Sequence, residues 1–405
     1  MKGGQVKKSN SISIGGIKIV IGVGASTELG AQVAGRDCGR ALVVSDKGIR
    51  ACGLLDPALD SLAAAGVEAI VFDEVPSDPP ASVVRQGAKT LEDAGCDCVV
   101  AIGGGSVMDA AKAINLMSVN DGDILEYDNS PSGGRKFKRA GHPLFSIPTT
   151  SGTGSEVTQY AVITSEAEQR KCTIGDERLT SSVVLLDPLM TVGLPPKITA
   201  ATGIDALAHA IEAYTSNRVL TAAGSTVFSD TLALAAVRHI APNLGRAYAC
   251  GGDIDARMKV MLGSTLAGLI TQAGSGAAHG MGTPLGARYH VPHGTSVGIM
   301  LPYVMAYNLP ACPERYRDVA EAAGRSTAGM TQMRAAREAV DAVAELLETI
   351  DFPHLPDFVP DRSAIDQLAE DAMRDKCCQL NARPLSVDVA RELYARAWDA
   401  LPAQR

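Results

Sequence analysis

Cys98-Val99-Val100-Ala101-Ile102-Gly103-Gly104-Gly105-Ser106-Val107-Met108-Asp109-Ala110-Ala111-Lys112 carries the strongest architectural signal in the chain. Apolar residues run without alternation, glycines stop the run, and a helix-forming segment opens at once. An unalternated strand is one buried on both faces, as in a parallel sheet covered by helices. Working outward, the pattern recurs. Ala41-Leu42-Val43-Val44 closes on Ser45-Asp46, a helical stretch covers residues 55–65, and an apolar run covers 68–72. A second helical stretch covers 81–94 and ends at Gly95. Later strands are expected at 144–147, 160–163 and 182–186, with Pro148 and Pro188 closing the first and last of these.

Around Leu194-Pro195-Pro196 the character changes to long Ala-, Leu- and Met-rich stretches at 200–214, 227–240 and 254–271, with another at 331–350. Their length and helix-forming content predict helices throughout. The expected architecture is therefore an α/β N-terminal domain over residues 1–195, a parallel sheet with helices on both faces, followed by an all-helical C-terminal domain over 196–405. Arg135-Lys136-Phe137-Lys138-Arg139 reads as an exposed basic loop.

Composition narrows the function. The 405 residues are 46% hydrophobic and 20% charged, ample for a core and against disorder. Lys plus Arg number 37 and Asp plus Glu 45, a net charge of −8, where a nucleic-acid binder carries a basic excess. Aromatics at 4% are too few for base-stacking platforms. Nine cysteines without a C-x-x-C pair exclude a disulfide scaffold and a zinc knuckle, and fit reduced thiols in the cytoplasm. Residues 1–10 are polar, the apolar run 17–23 is too short for a signal peptide, and no stretch approaches the ~20 apolar residues of a membrane span.

The chemistry-bearing residues fall in ordered segments. The turn Gly103-Gly104-Gly105 before a helix lets backbone approach a pyrophosphate at the helix N-terminus, although it is neither the dinucleotide fingerprint nor a P-loop; a plain tight turn reads the same way. Gly22-Val23-Gly24-Ala25-Ser26-Thr27 is a near miss to that fingerprint, with Thr27 at the third glycine position. Asp46, ending its strand, suits ribose hydroxyls and opposes a 2′-phosphate, which favours NAD over NADP; helix capping is the competing role. Pro148-Thr149-Thr150-Ser151-Gly152-Thr153-Gly154-Ser155-Glu156 is a third polar turn after a strand. Asp205 and His209, four apart on a helix, share one face and can clamp a divalent metal or simply pair. His279 and His293 lie in small-residue segments interrupted by Pro284 and Pro292, so they are not expected on one straight helix. Three imidazoles and a carboxylate suit Fe(II) or Zn(II) better than Mg or Ca.

Taken in order, the Asp46 strand end, GGGSVMDAAK, PTTSGTGSEVT, GIDALAHAIEAYTS, the His279 segment and VPHG resemble the iron-dependent (group III) alcohol dehydrogenase family over most of the chain, from about Gly22 to about Leu401. The resemblance implies a dinucleotide-binding domain followed by a helical metal domain. It carries metal ligation onto Asp205, His209, His279 and His293. It carries NAD contacts onto Asp46, Gly104, Gly105, Ser106, Thr149, Thr150, Thr153 and Lys171. The cofactors implied are NAD and Fe(II), with Zn(II) as the alternative, and a homodimer is the expected assembly. Many members carry a second histidine four residues after the third metal ligand; here that position is Thr283, and His290 is the substitute candidate for the proton relay. The implied activity is reversible hydride transfer between a small primary alcohol or aldehyde and nicotinamide. A reductase of an anionic aldehyde or keto acid (phosphonate-, sulfonate- or carboxylate-bearing, or maleylacetate-type) is the alternative in the same fold. A non-catalytic nucleotide- or metal-binding protein is the alternative of a different class.

Overall fold

Leu42 and Val44 pack into one hydrophobic layer, Ala41 and Val43 into another. A strand with apolar neighbours above and below has no polar face to alternate with, which is the physical reason for the unbroken runs. The computed structural model describes residues 9–129, 134–168, 170–216 and 226–400. It divides the chain into two compact units, Met1–Thr150 with Ser155–Val192, and Ser151–Gly154 with Gly193–Arg405.

Among the described residues the first unit holds nine strands: β1 (Asn10–Ile14), β2 (Ile17–Ile21), β3 (Arg40–Val44), β4 (Glu68–Phe72), β5 (Cys98–Gly103), β6 (Leu144–Pro148), β7 (Tyr160–Ser165), β8 (Arg170–Gly175) and β9 (Val183–Leu186). Seven form one sheet in the order β1-β2-β9-β6-β5-β3-β4, and β7 and β8 form a separate antiparallel pair. All pairings in the large sheet are parallel except β1 with β2. One face is covered by helices Ala81–Asp93 and Gly105–Met117 through Val84, Leu91, Val107 and Met108. The opposite face is covered by helices Leu29–Ala34 and Asp56–Ala64 through Leu29, Val33, Ala58 and Leu62. The chain runs outward from β3 to β4, returns to β5 on the other side of β3, and continues to β6. The strand order therefore reverses between β3 and β5, and a ligand crevice is expected outside their carboxyl ends.

Two parts of this unit depart from the sequence reading. Of the polar start, residues 1–8 lie outside the described residues, and Asn10 already begins β1, a strand absent from the sequence reading. The signal was present: Ser-Ile alternation, then Gly15-Gly16, then a second apolar run. Both glycines have positive φ, 57° and 88°, the two-residue hairpin turn that glycine permits. The basic segment is also only partly exposed. Phe137 is buried and stacks on Tyr127 with centroids 4.0 Å apart, while Arg135 pairs with Glu126 at 2.9 Å. Lys136, Lys138 and Arg139 stay in solvent.

The second unit is entirely helical among the described residues. Helices Pro196–Thr215, Val227–Ala249, Ile254–Gly268, Ala277–Tyr289 and His293–Asn308 contribute to one continuous core. Pro196–Thr215 is buried nearly all round, as a central helix must be. Its small residues allow close packing: a Cβ at Gly203 would fall 2.3 Å from Leu244 Cδ1. Pro284 does not end its helix as expected; it sits inside Ala277–Tyr289, where it forgoes one backbone bond in a buried, well-packed setting. Pro292 does act as a boundary, at the N-cap of His293–Asn308. The short turn Ser151–Gly154 groups with this unit because its glycines admit close neighbours. A Cβ at Gly152 would lie 2.8 Å from Thr202 Cβ, and one at Gly154, whose φ is +61°, 2.6 Å from Gly268 Cα.

Candidate metal centre and nucleotide-binding turns

One turn of helix brings Asp205 and His209 to the same side of Pro196–Thr215, with His209 Nδ1 3.9 Å from Asp205 Oδ2. His279 arrives in the first turn of Ala277–Tyr289 and His293 as the first residue of His293–Asn308. Asp205 Oδ1 lies 3.7 Å from His279 Nε2 and 3.5 Å from His293 Nε2. The His209 and His279 ring centroids are 4.4 Å apart, those of His279 and His293 5.6 Å. Four side chains from three helices thus converge around one carboxylate.

Three buried atoms of this cluster, Asp205 Oδ1, His209 Nδ1 and His279 Nε2, have no hydrogen-bond partner among the described residues. Leaving one such atom unmet costs about 1–3 kcal/mol, and a shared cation answers all three. Burial lowers the His209 imidazole to about 4 despite the pull of Asp205, so the ring is neutral near pH 7 and one of its nitrogens keeps a lone pair for a metal. Burial works to raise Asp205, but His209, His293 and His279 together hold it below the usual carboxylate range. The donor set, the spacing and the orphaned atoms fit a divalent transition metal.

Glu212, to which the sequence reading assigned no role, stands one further turn along the same helix face. It is buried and accepts hydrogen bonds from Gly276 N at 2.8 Å and Ala278 N at 2.6 Å. Its Oε2 is 2.5 Å from His279 Nδ1. The 205, 209, 212 spacing, i, i+4, i+7, was the available signal. Thr283 donates to Asp375 Oδ2 at 2.7 Å, so the position where the family resemblance suggests a histidine holds a neutral hydroxyl tied to a carboxylate. His290 caps the far end of Ala277–Tyr289 with φ 54°, roughly 16 Å of helical rise from His279.

In the first unit the candidate nucleotide residues gather at the carboxyl ends of neighbouring strands. Asp46 follows β3 and caps helix Lys47–Ala51, accepting from Ile49 N at 2.9 Å. Gly104 is the N-cap of Gly105–Met117, so Gly105 and Ser106 open that helix with unspent backbone N–H groups. Thr149 follows β6, its N–H bonded to Gly103 O at 2.9 Å. A Cβ at Gly104 would lie 3.3 Å from Thr150 Oγ1. Lys171, on β8, pairs with Asp78 at 2.6 Å, and Asp78 N reaches Ser106 Oγ at 3.3 Å. Thr153 is exposed and belongs to the second unit.

Asp109 and Lys112 of the Gly-rich segment have a structural task. Lys112 Nζ donates to Ser155 Oγ, Thr158 Oγ1 and Tyr160 O at 2.8, 3.0 and 2.8 Å. Asp109 accepts from Ser155 Oγ at 2.5 Å and Val162 N at 2.9 Å. Together they fasten residues 155–162 to the helix that opens at Gly105. Burial lowers the Lys112 ammonium to about 8 even though Asp109 and Glu156 favour its charge. A second metal-type grouping, Cys38, Asp97 and Cys98, is already engaged: Asp97 accepts from Gly39 N and Arg40 N, and both thiols face backbone carbonyls.

Comparison with known proteins agrees in both units. Residues 17–188 match the iron-containing alcohol dehydrogenase family, and residues 199–398 match the C-terminal region of the Fe-containing alcohol dehydrogenase family. The chain is 37% identical over 382 residues to choline dehydrogenase of Bacillus subtilis, covering 94% of this chain and 93% of that protein. The structure resembles that of a 1,3-propanediol oxidoreductase, with TM-score 0.89, 33% identity, and 96% and 99% of the two chains covered. It also resembles sulfoacetaldehyde reductase from Bifidobacterium kashiwanohense in complex with NAD+, with TM-score 0.85, 27% identity, and 94% and 96% coverage. The chain belongs to the iron-containing alcohol dehydrogenase family and is an NAD-linked oxidoreductase acting on CH–OH groups and the corresponding aldehydes.

Proposed function

We propose that the chain interconverts a small primary alcohol and its aldehyde, with Asp205, His209, His279 and His293 holding Fe(II). Zn(II) is the other metal this donor set suits. The observation that carries the reading is the convergence of Asp205 Oδ1, His209 Nδ1 and His279 Nε2, buried and unpartnered, within reach of His293. When bound, the metal supplies Lewis acidity toward an alcohol or carbonyl oxygen and NAD supplies the hydride acceptor or donor. The chain's part is to present a preformed donor set on three packed helices. For NAD, the N–H groups opening the helix at Gly105 and Ser106 suit the pyrophosphate, and Asp46 suits the adenosine ribose. Thr149, Thr150, Thr153 and Lys171 complete the assigned contacts.

The test pairs metal analysis of anaerobically purified protein with NADH-linked rates over a panel of alcohols and aldehydes. One metal per chain is expected, and His209→Ala is expected to keep NAD affinity while losing metal and turnover. Full turnover by metal-stripped wild type would overturn the assignment. An anionic aldehyde is the second reading, supported by the likeness to sulfoacetaldehyde reductase. Sulfonated, phosphonated and carboxylated members of the same panel separate the two.

A further inference from the structure

We propose that Glu212 is a positioning residue of the metal centre: one buried carboxylate sets both the ring tautomer and the backbone position of His279. The inference rests on the ligand assignment above and adds to it the group that makes His279 a ligand. An imidazole has two nitrogens, and when one carries the proton in a hydrogen bond the other keeps its lone pair. Glu212 Oε2, 2.5 Å from His279 Nδ1, takes that proton-bearing side. His279 Nε2 is then the bare nitrogen, and it is the buried atom without a partner, 3.7 Å from Asp205 Oδ1.

The same carboxylate holds the peptide that carries the ring. Gly276 N and Ala278 N, the residues flanking the start of Ala277–Tyr289, both donate to it. A carboxylate at a helix N-terminus also meets the positive end of the helix dipole. The site is built around this contact: a Cβ at Gly276 would lie 2.7 Å from Glu212 Oε1, so glycine is what lets the carboxylate reach the helix end. Asp205 and Glu212 sit two turns apart on Pro196–Thr215. One rigid helix therefore supplies two ligands directly, Asp205 and His209, and orients a third, His279, from behind. Asn381 provides an internal contrast. Its Oδ1 accepts from Ala277 N at 3.3 Å, so it supports the same helix start without a bond to His279.

Glu212→Gln separates orientation from capping. The amide has one acceptor where the carboxylate had two. Its NH2 group either opposes a backbone N–H or bonds Nδ1, and in the second case the ring proton moves to Nε2 and blocks ligation. Metal affinity is read by competition with a chromogenic chelator, and the tautomer by 15N NMR of histidine-labelled, metal-free protein. Glu212→Gln is expected to weaken metal binding roughly 10- to 100-fold and to shift His279 away from the Nδ1–H form. Asn381→Ala is expected to leave both readouts near wild type. Gly276→Ala, which displaces the carboxylate while keeping its charge, is expected to reproduce the affinity loss and serves if Glu212→Gln does not fold. Metal affinity within twofold of wild type in Glu212→Gln or Gly276→Ala, or an equal loss in Asn381→Ala, would overturn the proposal. Wild-type protein that binds no metal would instead sink the ligand assignment itself, and this inference with it.

Discussion

At the scale of single residues, Asp46 shows how one side chain serves two ends. It caps Lys47–Ala51 through Oδ1, the structural role that competed with ribose binding in the sequence. Capping fixes the carboxylate at the carboxyl end of β3, beside the strand-order reversal, so the two roles are compatible. Asp46→Gly tests the ligand role cleanly, since glycine at an N-cap costs only a few tenths of a kcal/mol. Removing a charge that opposes a 2′-phosphate is expected to lower the kcat/KM preference for NADH over NADPH about tenfold, equivalent to about 1.4 kcal/mol. A native enzyme that already prefers NADPH in initial-rate assays would contradict the assignment. Asp205, His209, His279 and His293 were readable as residue types and spacings. Glu212 shares the helix face of Asp205 and His209 by spacing, but that alone gives it no role, because a glutamate on a helix reads as a solvated charge until a second helix is seen to end on it.

At the scale of elements, glycines decide how closely the helices of the second unit pack. Gly263 faces Val227–Ala249, and a Cβ there would fall 2.4 Å from Ile240 Cγ1 and 3.1 Å from Ala236 O. Gly263→Ala would gain about 1 kcal/mol of helix propensity, but overpacking costs about 1–3 kcal/mol. An overlap with the inner carbon of a β-branched side chain and with backbone belongs at the upper end. The variant is expected to have a lower urea midpoint with unchanged metal content; a midpoint at or above wild type would show that the two helices have room to separate. The helices themselves were legible from composition, and their approximate starts from Pro196 and Ile254. Pro284 misled because its effect depends on the surrounding packing, which sequence does not show. The β1–β2 hairpin was legible and overlooked: its alternation and Gly-Gly turn are local signals.

At the scale of the whole molecule, buried thiols set the response to alkali. Burial raises Cys312 to about 11 and Cys378 to about 12, and raises Cys98 as well, from an ordinary 9.0. Above pH 9 the unfolded chain loses these protons while the folded chain keeps them, so unfolding becomes easier as pH rises. Lys112 runs the other way: at about 8 when folded and 10.5 when free, it adds stability between those values. Each group contributes about 1.4 kcal/mol per pH unit over its window, so three thiols outweigh one ammonium. The urea midpoint is expected to fall between pH 9 and 11, and a flat or rising midpoint would contradict the burial of these thiols. At pH 8, thiol reagents should modify the exposed Cys52 and Cys250 well before Cys98, Cys312 and Cys378.

Local sequence patterns were enough for a parallel α/β part followed by a helical one, for the family, and for a short list of candidate site residues. Those rest on patterns within a turn or a strand: unbroken apolar runs, glycines before a helix, a carboxylate and an imidazole four apart. Only the tertiary structure brings side chains up to 88 positions apart, Asp205 to His293, together around one buried carboxylate. It also assigned Ser151–Gly154 to the second unit and turned Glu212 toward His279. Contacts of that kind depend on how helices cross, and crossing is set by packing across the core, which no local pattern records.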